Sequence, residues 1–181
     1  MFSKLKYLRL AYFSKPSCQR QLYRAVKRHG VRSILVLGVD VELAVPLIGI
    51  AGSNHSDSSA VSYTGIDLFE SRPAGQTPAS LKHVFKQLSG TCATIKLVPG
   101  DPYEGLSRTA NSLLGTDLVI IGSDHVEEAL CRAWFYLPRI LHTDSLVYQQ
   151  GRRADGEIEY HPVSHSEIEC LAKVAARRRA A

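Results

Sequence analysis

Four short stretches carry charged side chains, three of them together with glycine, and each comes directly after an apolar run: residues 38–42 (GVDVE), 67–70 (DLFE), 100–102 (GDP) and 122–125 (GSDH). Asp67 stands about thirty residues beyond Leu37, at the end of the second run. From there a carboxylate can accept hydrogen bonds from both hydroxyls of a ribose. It could equally form a turn or cap a helix. His125, beside Asp124, could take a proton from a hydroxyl, because imidazoles titrate near neutrality. The other reading of Asp124 and His125 is that they cap a helix beginning near Glu127, where a carboxylate favours the helix dipole.

These stretches need a scaffold that gathers them. The runs at 33–39 (SILVLGV), 62–69 (SYTGIDLF), 94–100 (TIKLVPG), 116–122 (TDLVIIG) and 145–151 (SLVYQQG) are strand-sized and rich in β-branched residues. The first is continuously apolar, as a strand buried on both faces must be. Helical patterns fall between them, at 42–51, 78–89 capped by Thr77, 102–114 capped by Asp101, and 127–141 broken near Pro138. Strand and helix therefore alternate, which predicts a doubly wound, mostly parallel Rossmann-like α/β sheet with helices on both faces. Ligands of such sheets bind at the C-terminal strand ends, where all four stretches lie. A helix at 16–29, capped by Ser14 or Ser17, precedes the first strand, and a weak strand around EIEYHPV and a helix capped by Ser164 or Ser166 close the chain. The expected organisation is a single domain over 1–181, with a basic helical segment at 1–30, the core at 31–150, and a short strand plus helix at 151–181.

With 181 residues, 45% of them hydrophobic, the chain can bury one core. No apolar stretch approaches the roughly 18 to 20 residues of a membrane span, so no membrane segment is expected. The first residues, MFSKLKYLRLAYFSKPS, mix cations into apolar residues and read as a basic amphipathic helix instead of a signal peptide. Four scattered cysteines suit a reducing cytoplasm and suggest neither a zinc site nor a disulfide framework. The net charge of +5 is concentrated at the termini and says little about the central site. Trp134, Phe135 and Tyr136 read as core rather than as a stacking platform.

Taken in order, ILVLGVDVE, YTGIDLFE, VPGDPYEGL, TDLVIIGSDH and AWFYLPRILHTDSLVYQQ resemble the successive motifs of the class I S-adenosylmethionine-dependent methyltransferases. The likeness runs over about residues 31–150 and is nearest to the small O-methyltransferase-like branch, which has Asp-Gly-x-His after its fourth strand. It implies S-adenosylmethionine as cofactor, with Gly38 and Asp40 in the first loop, Asp67 and Leu68 at the ribose, and Gly100 and Asp101 near the adenine. Asp124 or His125 would face the acceptor. The first loop departs from the pattern: Val36 stands at the usual acidic position, Gly38 is the one glycine kept, and Asp40 and Glu42 replace small residues. Either acid could partner the cofactor's cationic groups. Gly122 stands where the metal-using branch has a ligand Asp, so no metal is expected.

Three functions are compatible with these residues. The first is a methyltransferase acting on a small molecule. The second is an inactive methyltransferase-like fold that serves as a ligand-binding or interaction module. The third, suggested only by the basic termini, is nucleic-acid modification. Little chain follows Gln150 to build an acceptor pocket, and a homodimer could complete one.

Overall fold

A computed structural model of the chain describes residues 3–55, 61–73, 79–123, 125–153 and 156–180. The expected strands form β1 (Ser33–Leu37), β2 (Ser62–Asp67), β3 (Thr94–Pro99), β4 (Thr116–Ile121), β5 (Leu141–Arg152) and β6 (Ile158–Pro162). They lie in one sheet in the order β3-β2-β1-β4-β5-β6. The first five run parallel and β6 pairs antiparallel with β5, so the sheet is mostly parallel. Strand order reverses beside β1, between β2 on one side and β4 on the other, which leaves a crevice at their C-terminal ends.

The alternation of side chains along β1 and β4 shows why these strands are apolar throughout. Ile34, Val36, Leu118 and Ile120 face one core, with α2 (Gln19–His29), α3 (Val41–Gly52) and α4 (Leu81–Leu88). Leu35, Leu37, Val119 and Ile121 face the other, with α5 (Pro102–Thr109), α6 (Glu127–Ala133), α7 (Leu137–Ile140) and α8 (His165–Ala180). A sheet covered on both faces cannot tolerate a polar face on its central strands. Among the described residues no helix is long and apolar enough to cross a membrane.

Several boundaries differ from the sequence reading. α2 begins at Gln19, with Cys18 at its cap making no side-chain bond. Ser3 instead caps a separate helix, α1 (Lys4–Phe13). That helix does not segregate its apolar residues onto one face. Tyr7, Leu10 and Ala11 pack inward, whereas Leu5 and Phe13 are exposed. The third intervening helix stops at Thr109 and continues as a 3-10 turn, Ala110–Ser112. The expected helix after β4 is broken into α6, a 3-10 turn (Trp134–Tyr136) and α7, with Pro138 in the first turn of α7. Trp134 is buried, but Phe135 is exposed. β5 begins four residues early, across an irregularity in its pairing with β4. The expected cap Thr77 lies outside the described residues, and Ser80 holds the cap position of α4. Ser164 accepts from the Glu167 amide at the start of α8.

Candidate functional site

At the C-terminal ends of β1, β2 and β4 lies a cleft of about 980 Å³. The chain turns sharply out of β1 through Gly38, whose φ of 86° lies in the left-handed region that side chains disfavour. Its amide donates to the Ile66 carbonyl at 2.9 Å, and the Gly122 amide donates to the Leu37 carbonyl at 2.7 Å. The exits of β1, β2 and β4 are thus tied together at the cleft. Asp40 caps α3, accepting from the Glu42 amide at 2.9 Å and, more weakly, from the Leu43 amide at 3.4 Å.

Asp67 ends β2 and is buried. One of its oxygens accepts from the Val39 amide at 2.6 Å and from an Arg72 Nη at 2.6 Å. The other accepts from the Phe69 amide at 2.9 Å and from Arg72 Nε at 2.8 Å. Arg72 also donates to the Val39 carbonyl at 2.9 Å, so it clamps the first loop to the end of β2. Burial alone would raise the carboxyl pKa. The Arg72 hydrogen bonds, the two backbone amides and the guanidinium charge outweigh it and hold Asp67 below the ordinary aspartate range. Phe69 takes a φ of 48°, a strained value for an aromatic residue. Its ring is buried and its amide is engaged by Asp67, which together hold the strained turn in place.

The next element is positioned by Glu70, whose carboxylate accepts from the Leu81 amide at 2.9 Å, at the start of α4. Hydrogen bonds from its own amide and from that of Leu81 hold its carboxyl below the usual value. α4 and its cap residue bring Ser80, His83 and Gln87 to the cleft. From the loop after β4, the His125 ring covers Gly38. Its Nε2 lies 3.1 Å from the point a Cβ on Gly38 would occupy. That nitrogen is buried and has no hydrogen-bond partner among the described residues.

The cleft therefore gathers Gly38, Asp40, Asp67, Leu68, Gly100 and His125 from separate parts of the chain. Asp101 is not among its lining residues: it caps α5, accepting from the Glu104 amide at 2.8 Å. Asp124 lies outside the described residues. Sequence reasoning missed Arg72, His83, Gln87 and Gln150. The sequence signal for Arg72 was slight, a lone cation in a polar loop five residues beyond the acid.

Three solved structures align with nearly the whole of this chain. Fibrillarin from Aeropyrum pernix, in complex with natively bound S-adenosyl-L-methionine, aligns over 93% of this chain with a TM-score of 0.52 and 16% identity. CalS11, a TDP-rhamnose 3'-O-methyltransferase of calicheamicin biosynthesis, aligns over 98% with a TM-score of 0.51 and 19% identity. A second CalS11 structure gives a TM-score of 0.54 at 15% identity. The chain has the methyltransferase-like Rossmann fold.

The chain spans 66% of the fibrillarin and 71% and 72% of the two CalS11 chains. No protein-family model matches the sequence, and no curated protein matches it. In size the cleft suits a nucleoside-type cofactor, since ligand sites run to about 1,000 Å³. At Gly38 the space a Cβ would take is filled by the His125 ring, whose buried Nε2 has no partner among the described residues. In its volume and in this unpaired polar atom the site fits S-adenosylmethionine. In one other respect, the saturation of Asp67 by Arg72, the site differs from an open ribose cradle.

Proposed function

We propose that this protein is an S-adenosylmethionine-dependent methyltransferase whose acceptor is a small molecule bearing a hydroxyl group. The observation that carries this reading is the cleft at the reversal of strand order, lined by both Gly38 and Asp67 in a methyltransferase-like fold. When bound, the cofactor supplies an electrophilic methyl group. Gly38, Asp67, Leu68 and Gly100 would hold it, with Asp67 on the ribose. Asp40 stands near the start of α3, where its charge would favour the cofactor's cationic end. Asp101 would act indirectly, by fixing α5 behind Gly100. His125 borders the cleft and would take the acceptor's proton once its Nε2, buried against Gly38 in the unliganded protein, turns toward the cleft.

Two measurements test this. Thermal unfolding with S-adenosylhomocysteine should show a melting temperature that climbs with ligand concentration. No shift at millimolar ligand would leave the inactive module as the better reading. With a panel of small hydroxyl compounds and S-adenosylmethionine, His125→Ala should slow methyl transfer by about 10² to 10⁴-fold while still binding S-adenosylhomocysteine. A rate unchanged by that substitution would remove His125 from the proton transfer.

A further inference from the structure

A carboxylate has about four lone-pair positions. In Asp67 all four are taken, two by the Val39 and Phe69 amides and two by the Arg72 fork. A ribose presenting two hydroxyls would find no acceptor there. The amides cannot withdraw without dismantling the exits of β1 and β2. Arg72 is different: it lies just beyond the short turn Phe69–Ser71, its side chain borders the cleft, and 16% of it is exposed. Of the four donors, the two on Arg72 are those that a side-chain rotation can remove.

Building on the cofactor reading above, we propose that Arg72 sets the cofactor affinity of the cleft by competing with the ribose hydroxyls for Asp67. The competition is unequal, because a guanidinium donating to a carboxylate through two parallel bonds is stronger than two neutral hydroxyl donors. The ligand therefore binds a form of the protein in which Arg72 has turned away, and its apparent affinity falls by the fraction of molecules in that form. The same contact stabilises the unliganded protein, since Arg72 links Asp67 to the Val39 carbonyl. Affinity and stability thus depend on Arg72 with opposite sign. Replacing a side chain that only supported the fold, or one that touched the ligand, would not raise affinity.

The test is calorimetric titration of S-adenosylhomocysteine into the wild type, Arg72→Ala and Arg72→Lys, alongside thermal unfolding without ligand. Arg72→Ala is expected to melt at a lower temperature yet bind about tenfold or more tightly. Arg72→Lys, which keeps the charge and loses the fork, should fall between it and the wild type in both respects. If Arg72→Ala does not fold, the lysine variant decides the matter in the same direction. Unchanged or weaker binding in folded variants, with binding by the wild type, overturns the competition and leaves the cofactor reading standing. Failure of all three proteins to bind overturns both.

Discussion

Asp67 and Asp117 sit at opposite ends of the central strands, and both are fully engaged. Asp117 stands near the N-terminal end of β4. One of its oxygens accepts from the Arg32 amide at 2.7 Å, the Ser33 amide at 2.9 Å and the Ser33 hydroxyl at 3.0 Å. Its other oxygen meets His142 Nε2 at 3.0 Å. Burial would raise its pKa, but these hydrogen bonds hold it below the ordinary range, as at Asp67. A depressed carboxyl pKa therefore does not distinguish the two. What differs is the source of the donors. Each takes two backbone amides, but Asp117 takes its other two donors from separate side chains, the Ser33 hydroxyl and His142, and so fastens the start of β1 to β4. Asp67 takes both of its other donors from the single Arg72 guanidinium, and it faces a cleft.

The largest effect that separates them should come from Asp67→Ala, which leaves Arg72 beside an uncompensated site. Breaking a buried ion pair costs about 3 kcal/mol or more, read as a lower urea midpoint. A loss under about 1 kcal/mol would place Asp67 with ordinary surface acids. Asp117→Asn is more exposed and keeps one carbonyl acceptor, so a smaller loss of about 1 to 2 kcal/mol is expected. Its affinity for S-adenosylhomocysteine should equal that of the wild type, and a weakened affinity would erase the contrast between the two ends. Gly38→Ala should cost about 1 kcal/mol from the left-handed backbone, and it should also weaken ligand binding by crowding the His125 ring. The smallest effect concerns acid. Both aspartates have depressed folded-state pKa values, so their stabilisation is present above the unfolded value of about 4 and is lost as pH falls through the folded one. Melting temperature followed downward from neutral pH should drop more steeply below about pH 4 in the wild type than in the Asp67→Ala, Asp117→Asn double variant.

The central strands were legible because burial on both faces forces runs such as SILVL and TDLVII to be apolar throughout. Asp67 and Gly38 were legible because strand ends and tight exits demand particular residue types. Arg72 was not, since pairing five residues along an aperiodic loop depends on a turn made by Phe69 at positive φ, which nothing in that residue's type announces. The contact of His125 with Gly38 was hidden for a related reason: it joins two loops more than eighty residues apart. Asp117 passed unnoticed because two of its donors are backbone amides, which every residue but proline carries, and the others, on Ser33 and His142, are distant in sequence. Helix ends shifted where a side-chain cap was expected but position alone decided the start, as at Cys18.

The most direct measurement is a crystal structure of the chain grown with millimolar S-adenosylhomocysteine. The ligand is expected in the cleft beside Gly38, its ribose hydroxyls on Asp67 and the Arg72 side chain turned away from that carboxylate. A ligand bound elsewhere, or an Asp67 still closed by Arg72 beside a bound ligand, would contradict this expectation.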